Sequence, residues 1–404
     1  MRRIILSLVV VSGLASPALA EGLESPFEPT GDPIGEIMFA TDPGAMAPRY
    51  LRALKLQVGD RPTKSQLALA LERLSSLPNL SSVDLKQSGS LLTLDLQEHP
   101  VSSFLVVPVP FVWMVSANAT FKDWHVGDYY VSSRAEFGYM WDCLRVYDPR
   151  LAEPSPIPFT NNYVYGLGNA GILLAPDLRL QMNAEGYVSD IQPNGPGASL
   201  AGTYAPQAQG TGFSMTLGPE LQYDNADDES FPRLGTRIRV GSFFGSPYLG
   251  GKNDFAIYRG ELERYTPIGP AETIVTGVKA GVGRGDLPWN HKFWAGGIYN
   301  LRGYPYQRFM GDQLLVGTLE YRRRLGTNLV PAWMPGLGLT GGTFVDVGRA
   351  WESRLGTPFP QDIRAGVGGY LGVSLGAWNV GRLEVSYGTE GPYVGLAAGL
   401  PFDW

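Results

Sequence analysis

The most pointed chemistry in this chain of 404 residues is Leu301-Arg302-Gly303-Tyr304, followed by Glu320 and then by Phe344-Val345-Asp346-Val347-Gly348. A guanidinium is permanently charged and presents a planar fork of donors that fits carboxylates bidentately. Glycine beside it lets the backbone turn sharply, and Tyr304 can stack on a wall. Glu320 shares parity with Val316, Thr318 and Arg322, against Leu315, Leu319 and Tyr321. Asp346 lies on the non-apolar face of its own segment. The chemistry implied is holding rather than turnover. A tip carrying Arg302 folds into an interior and is locked there by Glu320 and Asp346, where confinement screens such pairs less than open water does.

Other candidate sites fail on spacing. Gly166-Leu167-Gly168-Asn169-Ala170-Gly171 spells G-x-G-x-x-G, but no βαβ unit surrounds it, so it predicts no dinucleotide site. Asp224-Asn225-Ala226-Asp227-Asp228-Glu229 lacks the EF-hand spacing and reads as a solvated surface turn. His99, His125 and His291 show no metal-ligand spacing, and no G-x-S-x-G elbow is present. The sequence predicts neither an enzyme nor a cofactor. Cys143 is the only cysteine, which excludes an internal disulfide framework and reads as a small packing residue.

The elements that would position Arg302 follow from patterning. Met1-Arg2-Arg3, the apolar run Ile4 to Val11 and the small-residue exit Ala18-Leu19-Ala20 predict a secretory signal peptide over residues 1–20. Without Arg2 and Arg3 the chain has 30 basic against 38 acidic residues, a net charge of −8. Such an acidic chain is a poor nucleic-acid binder. No later apolar run reaches the roughly 18 residues of a membrane helix, and mean hydropathy is −0.06. Residues 21–33 read as a flexible leader. Residues 34–100 predict a small α+β unit: a strand at Ile34 to Phe39, a helix capped by Thr63 and Gln66 with Leu67, Leu71 and Leu74 on one face, and two strands joined at Ser88-Gly89-Ser90.

From residue 101 to 404 the chain reads as strand after strand. Leu337, Leu339, Gly341, Thr343, Val345 and Val347 oppose Gly338, Thr340, Gly342, Phe344, Asp346 and Gly348. Ala365, Val367, Leu371 and Val373 oppose Arg364, Gly366, Tyr370 and Ser374, and Leu383, Val385 and Tyr387 oppose Arg382, Glu384 and Ser386. Leu178, Leu180 and Met182 likewise oppose Arg179, Gln181 and Asn183. One apolar face and one polar or glycine face predict an all-β transmembrane β-barrel of about sixteen antiparallel strands, with lipid outside and a wet lumen. Eight convincing strands precede the Arg302 loop, near 285–312, and five follow it. An even count requires at least one more, expected in the irregular region 101–210. Val394, Leu396, Ala398, Leu400, Phe402 and Trp404 alternate to the carboxyl end.

These motifs resemble the outer-membrane assembly and translocation superfamily that includes BamA, TamA and the transporters of two-partner secretion, the bacterial surface antigen barrels. Leu301-Arg302-Gly303-Tyr304 is similar to the family's (Val/Ile)-Arg-Gly-(Phe/Tyr) lumen-loop tip, placed after the eleventh of sixteen strands. Glu320 matches its inward glutamate, Phe344 through Gly348 its Phe-x-Asp-x-Gly pattern, and five strands after the loop its count. Residues 34–100 resemble one POTRA domain, the periplasmic module that precedes such barrels. The ending on Leu400, Phe402 and Trp404 resembles the aromatic-terminated strand that closes them. The resemblance implies a bacterial outer-membrane protein in contact with lipid, acting on unfolded or extended polypeptides to insert or translocate them, with periplasmic or lipoprotein partners. A single POTRA-like unit departs from the several of central assembly factors, and residues 21–33 are too short for the plug helix of two-partner transporters. An orphan channel or surface protein, or a scaffold acting through the POTRA-like unit, stays open beside it.

Overall fold

The computed structural model describes residues 32–43, 46–75, 80–98, 103–109, 113–126, 129–147, 156–193, 210–227, 231–269, 271–327, 337–353, 363–375 and 378–398. The expected signal peptide, most of the leader, His99, and Leu400, Phe402 and Trp404 lie outside the described residues.

The first unit is built from β1 (Glu36–Phe39), α1 (Ala47–Leu54), α2 (Lys64–Ser75), β2 (Leu80–Ser88) and β3 (Leu91–Glu98). The start of α2 is fixed by a reciprocal capping box: the Thr63 amide donates to Gln66 Oε1 at 2.8 Å and the Gln66 amide to Thr63 Oγ1 at 3.2 Å. α1 ends where Lys55 adopts a left-handed conformation with φ 52°. The sheet order is β1-β3-β2, with β1 parallel to β3. Tyr50, Leu54, Ala70, Leu74, Leu92 and Leu94 form its core. The expected Leu67-Leu71-Leu74 stripe is corrected in one place. Leu71 is 37% exposed while Ala70 is buried, because positions 67, 70 and 74 share the face turned to the sheet.

The rest is one antiparallel sheet. Its strands are β4 (Ser103–Val109), β5 (Trp113–Val126), β6 (Tyr129–Tyr147), β7 (Pro156–Ala175), β8 (Leu178–Pro193), β9 (Gly210–Asp224), β10 (Gly235–Gly245), β11 (Phe255–Pro267) and β12 (Glu272–Gly285). After a small hairpin, β13 (Phe293–Ala295) and β14 (Phe309–Gly311), come β15 (Gln313–Thr327), β16 (Leu337–Trp351), β17 (Arg364–Leu375), β18 (Trp378–Gly388) and β19 (Gly391–Ala398). The order runs from β19 to β4 with β12 paired directly to β15. Among the described residues the sheet therefore has fourteen strands, nine before the β12–β15 connection and five after it. This compares with about sixteen expected. The irregular region contributes few but long strands, β6 with 19 residues and β7 with 20. Gly166 through Gly171 lie inside β7.

Alternation sets the two faces. Val345, Val347, Val367, Leu371, Leu383, Val385, Val394 and Leu396 are between 42% and 63% exposed on one, whereas Glu220, Glu320, Asp346, Glu384 and Ser386 are buried on the other. A water-soluble sheet would not leave so wide an apolar face open. The polar face is concave. Arg259 on β11 reaches Glu185 on β8 at 3.5 Å, although strands three places apart in a flat sheet are separated by roughly 14 Å.

The first unit sits at one end of this sheet. Arg52 pairs with Asp177 in the β7–β8 turn, and Lys55 Nζ lies 2.6 Å from Asp227 Oδ2 in the β9–β10 turn. The β12–β15 connection leaves from the opposite end. Of the segment 224–229, residues 228 and 229 lie outside the described residues. Asp227 is not solvated as expected, its side chain being 9% exposed.

Candidate functional site

Residues 286–312 leave β12 and fold over the polar face. A short turn at Trp289–His291 starts the segment, and His291 is wedged between Tyr187 and Phe255, with ring centroids 5.1 and 5.0 Å away. The β13–β14 hairpin then brings the chain back. Gly296 and Gly297 have φ of 114° and 95°, a region open chiefly to glycine. Asn300 braces the bend by donating to the Trp294 carbonyl at 3.0 Å and accepting from the Gly296 amide at 3.2 Å. The tip itself is left-handed at Leu301 (φ 46°) and Gly303 (φ 100°). The whole four-residue motif is thereby turned toward the sheet rather than toward solvent.

Burial selects what each tip residue touches. Leu301 and Tyr304 are fully buried in a cluster with Ala295, Val316 and Ala350. Arg302 donates Nε to Asp346 Oδ2 at 2.7 Å, Nη2 to Asp346 Oδ1 at 2.8 Å and Nη1 to Glu320 Oε2 at 2.6 Å. Its backbone amide adds a fourth bond, to Asp346 Oδ2 at 2.8 Å. The guanidinium also stacks on the Phe344 ring at 3.6 Å from the centroid, a cation–π arrangement. Charge-assisted, bidentate bonds of this kind are the strong class of hydrogen bond. All six motif residues read from the sequence, Leu301, Arg302, Gly303, Tyr304, Glu320 and Asp346, come together in one place.

Several partners were not legible in the motifs. Glu320 Oε1 also accepts from Arg322 Nε at 3.1 Å and from the Tyr370 hydroxyl at 2.8 Å, so each of its oxygens meets a cation. Arg382 stacks on Tyr370 at 3.7 Å and pairs with Glu384 at 3.1 Å. Arg308, near the loop's exit, donates to Glu390 at 2.7 Å. The Tyr304 hydroxyl donates to the Ala365 carbonyl at 2.9 Å and accepts from the Thr389 amide at 3.2 Å.

The tip fits because the wall has a notch. Asp346 is in register with Gly366, and Gly366 with Gly388. A Cβ on Gly366 would lie 1.6 Å from the Arg302 carbonyl oxygen, and one on Gly388 2.5 Å from that of Gly303. Gly366 and Gly368 lie inward between Arg364 and Tyr370, a gap in side-chain volume that does not say what fills it.

Among the described residues no group of three or more His, Cys, Asp or Glu could hold a metal ion. The arrangement can fix a loop to a sheet and does so with permanent charge and a close-fitting backbone.

Comparison with known proteins gives the arrangement a context. The family model described as the Omp85 superfamily domain matches residues 157–392, more than half of the chain. The outer membrane protein assembly factor BamA of Nitratidesulfovibrio vulgaris is 25% identical over 177 residues, covering 40% of this chain and 21% of that protein, so the chain matches about a fifth of that relative's length. Among solved structures, BamA from Haemophilus ducreyi lacking POTRA domains 1–3 aligns at 14% identity with a TM-score of 0.49, over 90% of this chain and 82% of that one. CdiB from Escherichia coli aligns at 12% identity with a TM-score of 0.49, over 90% and 74%. The chain belongs to the Omp85 superfamily of outer-membrane β-barrels.

Proposed function

We propose that this protein assists the insertion or translocation of polypeptides at the bacterial outer membrane, with the Arg302 loop locked to Glu320 and Asp346 inside the barrel. The observation that carries the reading is the seated loop tip in a chain of this superfamily. Residues 1–20 act as the export signal and 21–33 as a leader. Residues 34–100 act as a POTRA-like domain in the periplasm. An extended substrate adds a strand to an edge of its sheet, where backbone hydrogen bonds supply affinity without demanding a sequence. Of the two edges, β2 is the longer, with nine residues against four in β1. The barrel, surrounded by lipid, then passes the segment along its wall or lumen while the locked loop braces β15 to β18.

An outer-membrane proteome with and without the gene tests this. A helper of insertion lowers several barrel proteins together; a dedicated exporter strands one secreted partner in the periplasm. A passive channel leaves the proteome unchanged and conducts steadily in planar bilayers, and that outcome would remove the proposal.

A further inference from the structure

The two ends of the barrel are joined by a run of contacts that passes through side chains and through the backbone of 231–234. At the end that carries the first unit, Lys55 Nζ pairs with Asp227 Oδ2. The other oxygen of Asp227 accepts from the amides of Arg233 and Leu234 at 2.8 and 2.9 Å, and the Asp227 amide donates to the Leu234 carbonyl at 2.9 Å. One carboxylate therefore closes the β9–β10 turn on itself and ties it to the first unit. Arg233 Nη2 donates to the Gly269 carbonyl in the β11–β12 turn at 2.5 Å, which fixes the turn laterally.

The closed turn projects Phe231 inward. Phe231 is 8% exposed, beneath the guanidinium groups of Arg324 at 5.1 Å and Arg322 at 5.6 Å. Arg322 also lies 5.7 Å from the Tyr265 ring. Glu320, Arg322 and Arg324 occupy one face of β15 at steps of roughly 6.6 Å. Arg322 Nε then holds Glu320 Oε1, while Glu320 Oε2 holds Arg302. Glu320 is thus a single carboxylate oriented by the Tyr370 hydroxyl and by two cations, one from its own strand and one from the loop that enters from the far end.

We propose that the β9–β10 turn is a coupling element through which the seat of the first unit sets the hold on Arg302. When Lys55 leaves Asp227, the turn opens and Phe231 withdraws from beneath Arg322 and Arg324. Arg322 is then no longer pinned on two sides, Glu320 Oε1 is left with the Tyr370 hydroxyl alone, and the hold of Glu320 on Arg302 weakens while that of Asp346 stands. A pull on the first unit is in this way registered at the loop tip across the barrel. The proposal rests on the contacts around Arg302 and is independent of which polypeptide the barrel handles.

Hydrogen–deuterium exchange on the full chain in detergent micelles tests it, read at the Gly297 and Arg302 amides, which are bonded to Tyr304 and Asp346. Asp227→Lys and Phe231→Ala are expected to speed exchange over 296–308 several-fold. Lys55→Ala leaves every barrel residue in place and gives the same sign of change, so the question survives a barrel variant that fails to fold. Arg302→Ala sets the ceiling. If Arg302→Ala opens 296–308 but Asp227→Lys and Lys55→Ala open only 225–234, the coupling is overturned and the loop contact stands. If Arg302→Ala itself leaves 296–308 protected, the loop contact is overturned and the coupling with it.

Discussion

At the loop tip, the side chains of Arg302, Asp346 and Glu320 are 6%, 0% and 6% exposed. Under the first unit, Arg52 and Asp177 are 39% and 16% exposed, and Lys55 and Asp227 35% and 9%. The chemistry is shared and the surroundings differ. Removing one partner of a buried pair strands a charge that water cannot reach, whereas a pair whose cation is exposed loses it at smaller cost. The first arrangement suits a part that stays put, and the second a part that must detach and return.

The largest effect is expected at the tip. Arg302→Ala should destabilise the seated loop by about 3–5 kcal/mol, the usual consequence of orphaning buried charge. Proteolysis within 285–312 should accelerate, and an unchanged cleavage rate would place the hold elsewhere. Arg302→Lys should recover only part of the protection, because an ammonium cannot fork onto Asp346 while reaching Glu320.

Next comes the notch. Gly366→Ala adds a methyl where the Arg302 carbonyl already lies, and overpacking of this kind costs about 1–3 kcal/mol. Heat-modifiability on gels should report a lower unfolding temperature, while Gly212→Ala, where a Cβ would meet nothing within 4 Å, should not. Equal behaviour of the two variants would remove the notch from the account. Tyr304→Phe is smaller again. It deletes the hydroxyl shared by Ala365 and Thr389 and should cost about 0.5–1.5 kcal/mol, visible as faster amide exchange at Thr389.

The smallest direct effect is expected below. Lys55→Ala should change global stability by about 0–1 kcal/mol, and molar salt, which screens the same pair, should reproduce its effect on the wild type. Acid gives a further separation. Burial alone would raise the Asp227 carboxyl, but hydrogen bonds from Lys55 and from the Leu234 and Arg233 amides outweigh it and hold the group below its ordinary value. A depressed carboxylate contributes its full stability above the unfolded value, near pH 3.9, and loses it as pH falls through the lower folded value. Titration from pH 7 to 5 should therefore leave 225–234 closed, and opening within that range would contradict the assignment.

Strand parity was legible because one face is apolar throughout, so Glu320, Asp346 and Glu384 could be placed inside from their neighbours alone. The Thr63–Gln66 cap was legible because it is local. The notch was not. Its glycines are two of 52, and their purpose depends on a register linking Asp346, Gly366 and Gly388 across three strands. Arg308 with Glu390 and Lys55 with Asp227 are separated by 82 and 172 residues, and nothing near either residue announces the other. Asp227 read as a solvated turn residue because its sequence neighbours are polar; its partner Lys55 comes from a unit folded far upstream.

The Gly366–Gly388 notch also has a consequence for the order of events during biogenesis. The tip at 301–304 is synthesised well before the residues that receive it, and contacts spanning 44, 61 and 85 residues close late. Until β16, β17 and β18 have registered, the recess does not exist and Arg302 has nowhere to lodge. A seated tip is therefore a record that the last hairpins have paired correctly. A chain cut short before Gly388 would carry the motif intact and still leave its arginine without a complete berth.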